Sequence, residues 1–168
     1  IADMNHVRSH SSARPRGAWR ACSTTLSRRT DAMHAEVAAF LHAESNTWSY
    51  VVHAPGGGEA AVIDPVLDFD AKSARTSTAS AQRIVDFVRE RGLEVRWLLE
   101  THAHADHLSA AHWLKSSHWP QAAIAIGTGI RDVQATFAPI FDLGDGFPVD
   151  GSQFDRLFAD GDGFDVGG

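Results

Sequence analysis

Val95-Arg96-Trp97-Leu98-Leu99-Glu100-Thr101-His102-Ala103-His104-Ala105-Asp106-His107 decides the fold. Its first five residues read as an apolar run of strand length, which predicts a strand buried on both faces. The pattern changes at Glu100. The polar residues that follow are delivered at the strand's C-terminal end, where open α/β layers place their sites. In an extended or turning backbone His102 and His104 point the same way at i and i+2, while Asp106 and His107 curl back at the start of the next helix. Four donors therefore converge within six residues. Imidazole and carboxylate suit Zn or Fe(II), and a site that keeps coordination positions open can activate water or bind oxygen. A lone histidine is more often a packed or surface residue, but four donors directly behind an apolar strand have no comparable structural explanation.

The rest of the chain alternates strands and helices. Val37–His42 and Trp48–Ala54 are β-rich runs joined by a polar Glu44-Ser45-Asn46 turn, and Ala60–Asp64 follows Pro55-Gly56-Gly57-Gly58, which together predict an antiparallel meander ended by Pro65. The triple glycine lacks the Gly-Lys-Ser/Thr ending of a phosphate loop and reads as a tight turn. Ser80–Gly92 carries apolar Ile84, Val85, Phe87 and Val88 at helical spacing, with Gly92 as its stop. A further helix is expected over Leu108–Ser116, and Gly127-Thr128-Gly129 opens another over Ile130–Phe137. Asp160-Gly161-Asp162-Gly163 lacks the closing Glu of a calcium loop and reads as a β-turn opening the next hairpin.

Ten histidines are present, five of them between His102 and His118. His112 and His118, on or just after a helix, are expected to face solvent. His34, His42 and His53 alternate with apolar residues and are expected on exposed strand faces. Trp97, Trp113 and Trp119 read as core or rim packing.

At 168 residues, 43% hydrophobic and 21% charged, the chain has the composition of about one globular domain, neither disordered nor fibrous. No apolar stretch approaches the ~18 residues of a spanning helix, and no signal peptide is evident, so a soluble protein without membrane partners is expected. The single cysteine, Cys22, excludes an intramolecular disulfide framework and a multi-Cys zinc site. The formal charge of −6 hides a boundary: residues 1–32 carry six Arg against Asp3 and Asp31, and the remainder carries nine Lys and Arg against nineteen acids. Residues 1–32 thus read as a separate basic leader before Met33. Two origins are open, translation from upstream of Met33 or a mitochondrial transit peptide. The chain's thirteen Arg against two Lys, a sign of a GC-rich coding sequence, favour the first and with it a bacterial cytoplasmic location. A nucleic-acid-binding arm lacks the aromatic or periodic residues that would accompany it.

His102-Ala-His104-Ala-Asp106-His107 resembles the H-x-H-x-D-H signature of the metallo-β-lactamase fold superfamily. The resemblance covers about residues 33–168 and implies an α/β fold, the αββα sandwich with its metal site at one edge, of which this chain would hold the N-terminal half to two-thirds. It implies His102, His104, Asp106 and His107 as metal ligands, with Asp106 also the catalytic carboxylate. Asp64-Pro65 is similar to the family's first motif, so Asp64, with Thr101, would support the ligands from behind; a plain strand-ending turn is the competing reading of Asp64.

Within the superfamily, Ile63–Asp68, Ser77–Ser80, Leu99–Ala110, Phe137–Phe141 and Gly151–Asp155 resemble persulfide dioxygenases and the related β-lactamase hydrolase-like proteins. Glyoxalase II fits less well, because Ala103 and Ser109-Ala110 stand where it carries another His and a small-Gly pair. The resemblance implies one Fe(II) on two His and one Asp, with His102 the ligand drawn from this motif, and oxidation of glutathione persulfide to sulfite. The alternative is two Zn ions held by all four motif residues and hydrolysis of a glutathione thioester. The family's later ligands, in a Pro-Gly-His-Thr segment, an Asp-bearing strand end and a final His, have no counterpart here. That implies an incomplete site, either an N-terminal portion of an enzyme or an inactive truncated domain. It also implies a missing second sheet and outer helix, and exposed apolar surface prone to association, with a homodimer possible.

Overall fold

The structure is a computed structural model that describes residues 34–167; the leader predicted over residues 1–32, with Cys22, lies outside the described residues. In chain order the elements are β1 (Glu36–His42), β2 (Thr47–His53), β3 (Glu59–Ile63), β4 (Val66–Asp70), β5 (Arg75–Ser77), α1 (Ala79–Arg91), β6 (Glu94–Leu99), β7 (Leu108–Ser109), α2 (Ala111–Ser117), β8 (Ala123–Gly127), α3 (Ile130–Ile140) and β9 (Arg156–Phe158).

The predicted meander is present. β1, β2 and β3 pair antiparallel, and the turn between the first two is made possible by Asn46 at φ 55, a left-handed conformation that asparagine tolerates. The triple glycine is the tight turn expected of it, with all three residues at φ between 90 and 96, where a side chain would clash with its own backbone. From β3 the sheet continues in parallel through β6, β8 and β9, giving the order β1-β2-β3-β6-β8-β9. A three-stranded sheet in the order β5-β4-β7 adjoins the C-terminal end of β3 and β6. It leaves β3 through Asp64 and Pro65, so the same dipeptide ends one sheet and starts the other.

α1 connects the two sheets and makes the core. Its Ala81, Ile84, Val85 and Val88 pack on Val51, Val62, Val95 and Leu98, with Ala111 and Leu114 of α2 beside them. Ile84, Leu98 and Leu114 are among the largest fully buried side chains, each contributing about 1.5–3 kcal/mol of burial. Gly92 stops α1 as predicted, in the left-handed conformation at φ 62. Its N–H bonds Arg89 O, and the Leu93 N–H bonds Val88 O.

Four expectations are corrected. β6 is not buried on both faces: Val95 and Leu98 face α1, whereas Arg96 is exposed and Trp97 is half-buried against Phe158 and Phe164. His42 and His53 are buried, not exposed. Both faces of this sheet are apolar, and α1 chose the face carrying Phe40, His42, Val51 and His53, with Phe87 packing edge-on against Phe40. The opposite face leaves Val37, Leu41 and Trp48 exposed. Finally, the helix expected at Leu108 begins at Ala111. Leu108 and Ser109 instead pair with Leu67 and Val66, and the Ala110 N–H bonds Pro65 O at 2.7 Å. The turn at Asp160-Gly161 is present, but β9 before it pairs in parallel with β8, and no hairpin follows among the described residues.

Candidate metal centre

The loop of residues 100–107 is pinned where β6 leaves the sheet. Asp64 N–H donates to Leu99 O at 2.8 Å and Glu100 N–H donates to Ala125 O at 2.9 Å, fixing the start of the loop at the C-terminal edge of three adjacent strands. Asp64 itself is at φ 48, an uncommon backbone for a residue with a side chain. That backbone directs its buried carboxylate at the loop. Oδ1 accepts from Thr101 N–H at 2.7 Å and from His104 Nε2 at 2.9 Å, and Oδ2 accepts from Thr101 Oγ1 at 2.7 Å. Asp64 is thus a strand-ending turn residue and a support for the loop at once.

These contacts settle which nitrogens face outward. Thr101 O–H is directed at Asp64, so the 2.8 Å contact between Thr101 Oγ1 and His102 Nδ1 is made by a proton on His102, leaving His102 Nε2 with a free lone pair. His104 Nε2 is turned inward to Asp64, which leaves Nδ1 facing out, 3.9 Å from Asp106 Oδ1. Donor atoms of His102, His104 and Asp106 lie within 4.8 Å of one another. His107 stacks on His104 with ring centroids 4.1 Å apart but is outside that triad. Its Nδ1–H donates to Leu108 O, and its Nε2 is buried without a hydrogen-bond partner. Burial pulls the His107 imidazole below the usual histidine range, so the orphaned nitrogen carries a lone pair. Asp106 and His107 do not curl into a helix as expected, because the chain from Leu108 is held on β4 before α2 starts.

Thr47, at the start of β2, donates to Asp106 Oδ2 at 2.9 Å, and this bond is the main reason the Asp106 carboxyl sits below its usual range. A cleft of about 320 Å³ beside it is lined by His42, Ser45, Leu67, Asp106 and His107 among others. A second cleft of about 440 Å³ lies on the other side of the motif, lined by His102, His104, His112, Ile126 and Phe154 among others. His112 is exposed at its rim, as expected; His118 is half-buried against Trp113.

Sequence reasoning missed Glu100. The residue is buried behind the loop with Oε2 3.2 Å from His104 Nε2 and Oε1 accepting from Ser109 Oγ. Burial pushes its carboxyl up to about 7, against the opposing pull of Ser109 and His104. The available signal was its place at the end of an apolar strand, where a carboxylate without a partner would be costly. Thr47 was missed as well, since nothing local in β2 marks it.

Imidazole lone pairs and a carboxylate at the ends of parallel strands, with an orphaned imidazole nitrogen beside them, fit a divalent metal ion and define a metal-site α/β domain. Residues 43–167 match the model of the metallo-beta-lactamase superfamily, and the chain belongs to that superfamily. Its members are generally metallo-hydrolases or related enzymes, and the fold carries divalent metal sites. The chain is 50% identical over 131 residues to a probable metallo-hydrolase of Burkholderia pseudomallei, covering 78% of this chain and 44% of that protein. It is 47% identical over 126 residues to a beta-lactamase hydrolase-like protein of Agrobacterium fabrum, 74% of this chain and 28% of that one. Against the mitochondrial persulfide dioxygenase of Bos taurus it is 34% identical over 73 residues, 44% of this chain and 24% of that one. The solved structure of the BLEG-1 B3 metallo-beta-lactamase aligns with a TM-score of 0.50 at 17% identity, over 79% of this chain and 57% of that chain, a likeness of fold alone. The chain spans less than half the length of these curated relatives. No helix of the described residues is long and apolar enough to cross a membrane.

Proposed function

We propose that this chain carries the ligand-bearing first part of a metal-dependent enzyme of the persulfide dioxygenase type, acting on a glutathione-linked persulfide. One observation carries the reading: His102 Nε2, His104 Nδ1 and Asp106 are turned toward one another by a built support of Asp64, Thr101 and Thr47. A site prepared to this degree is arranged for an ion. The likeness of Leu99–Ala110 and Ile63–Asp68 to persulfide dioxygenases, and the relative of that name, support the substrate class. Fe(II) held there supplies the one-electron chemistry with O2 that side chains lack. The chain's own part is to present His102, shape the pocket with His104, Asp106 and His107, and keep Asp64 and Thr101 behind them. The two clefts flanking the motif give the sulfur-bearing end of a substrate an approach from either side.

A second reading rests on His107. Its unpartnered Nε2, on a ring stacked against His104, offers a fourth donor, the set for two Zn ions and thioester hydrolysis. The test is the product of the whole gene that carries this chain, loaded anaerobically with Fe(II) and given glutathione persulfide. O2 uptake with sulfite release is expected. Hydrolysis of a glutathione thioester without O2 uptake points instead to the second reading, and absence of both activities sinks the two together. The 168-residue chain alone is expected to retain less than one iron and to release no sulfite.

A further inference from the structure

Asp106 is exposed and sits on a loop, and the side chain that donates to its carboxylate comes from far away in sequence, at Thr47. Behind Thr47 runs a line of contacts into the protein. Ser45 Oγ donates to Thr47 Oγ1 at 2.9 Å, and Ser45 lies 2.6 Å from Nδ1 of the buried His42. The Ser45 N–H also donates to His42 Nδ1 at 3.2 Å, which holds the serine against the buried ring. Ser45 then donates to Thr47, and Thr47 to Asp106. His42 is itself placed by Asp68, whose Oδ1 is 3.4 Å from His42 Nε2 and whose two oxygens accept from the N–H and hydroxyl of Ser80 at the start of α1. The line is therefore anchored in a helix and ends on a candidate ligand.

We propose that Thr47 is the positioning residue for Asp106, holding Oδ2 so that Oδ1 is presented toward His104 and the metal, with Ser45 and His42 fixing the Thr47 hydroxyl. The inference rests on the second reading above, in which Asp106 is one of the residues that hold the metal. A short carboxylate on an exposed loop turns freely unless one oxygen is engaged, and an ion that captures a turning ligand must first order it. Thr47 removes that requirement. The distant residue serves better than a loop neighbour because Thr47 is paired with His42 across the β1–β2 ladder, so the donor does not move with the loop.

The experiment is a Co(II) titration of the 168-residue chain, stripped of metal by chelation and followed by d–d absorption. Thr47→Val is expected to weaken binding by about tenfold, the usual scale for losing a group that orients a ligand. Thr47→Ser, which keeps the hydroxyl, is expected to bind within about twofold of the unaltered chain. Ser45→Ala leaves Thr47 in place and gives a smaller loss in the same direction, which preserves the test should Thr47→Val fail to fold. Asp106→Asn weakens binding by itself, and adding Thr47→Val to it costs little more, since the tether then has nothing to hold. Equal Co(II) affinity in Thr47→Val and the unaltered chain overturns the tether while leaving the ligand reading intact. Absence of any Co(II) band from the unaltered chain overturns both. A loss in Thr47→Val that Thr47→Ser does not restore assigns the effect to packing and overturns the tether.

Discussion

Replacing Asp64 by asparagine changes one atom pair at the point where both sheets and the metal loop meet. The Asp64 carboxylate takes three hydrogen bonds, from Thr101 N–H and His104 Nε2 on Oδ1 and from Thr101 O–H on Oδ2. Asparagine tolerates the φ of 48 and keeps one carbonyl oxygen for the two donors on Oδ1, so the backbone and two of the bonds survive. Its amide then points N–H at the Thr101 hydroxyl where an acceptor stood, and the negative charge that strengthens the other two is gone. Loss of one charge-assisted bond, at about 1.5–3 kcal/mol, sets the expected destabilisation near 2 kcal/mol. With a urea m-value of about 2 kcal/mol per molar, the unfolding midpoint falls by about 1 M. Asp64→Ala loses all three bonds, adds the strain of a left-handed alanine, and is expected to cost at least about 4 kcal/mol. The assay is equilibrium urea unfolding of the metal-free chain, with Co(II) affinity measured on the same samples and expected to drop at least about tenfold. A midpoint for Asp64→Asn within about 0.2 M of the unaltered chain, together with unchanged Co(II) binding, refutes the reasoning, since Asp64 would then be a turn residue only.

Three further outcomes are expected. Glu100, raised from 4.5 to about 7, binds a proton in the folded chain that the unfolded chain has released; its stabilising contribution is complete below pH 4.5 and is lost as pH rises through about 7. Stability of the metal-free chain should therefore fall between about pH 5 and 8 by thermal melting, Glu100→Gln should flatten that slope, and an identical slope in the variant counts against it. Leu114→Ala opens a cavity at a fully buried site between α2 and the sheet and is expected to cost about 3 kcal/mol in urea unfolding, with a cost under about 1 kcal/mol meaning that the site collapses freely. Exposed Val37, Leu41 and Trp48 on the uncovered sheet face are expected to make the chain dimerise; sedimentation should show a shift toward monomer in Leu41→Ser/Trp48→Ser, and a monomeric unaltered chain at the same concentration refutes this.

The meander, α1 with its glycine stop, and the ligand loop at the end of β6 were legible because each rests on local signals: alternation, a 3.6-residue period, turn glycines, and donors behind an apolar run. The convergence of His102, His104 and Asp106 followed from spacing alone, but the direction of each ring nitrogen did not, because it depends on Asp64 and Thr101 lying against the loop. His42 and His53 were misplaced for a related reason. When both faces of a strand carry apolar residues, alternation says that there are two faces and leaves open which one a helix covers; Phe87 of α1 supplies that answer through Phe40. Leu108 and Ser109 were read as helix because they precede one, and only the partner strand at Val66 and Leu67 turns them into β7. Thr47 acts across 59 residues, on Asp106, and Glu100 meets His104 and Ser109 only once the loop has folded back over it, and no one-dimensional pattern carries such pairings.

The loop of residues 100–107 has a fixed strand at each end, β6 in one sheet and β7 in the other, nailed by the Glu100 bond to Ala125 and the Ala110 bond to Pro65. Holding those eight residues in place costs about 1–2 kcal/mol of backbone entropy each, and the cost is met when the sheets close, before any ion arrives. Capture of a metal is thereby relieved of a folding step. Its rate should follow the exchange of water on the ion rather than the search of a chain, and the amides of Glu100 and Ala110 should be protected from hydrogen exchange in the metal-free protein to nearly the same degree as in the loaded one.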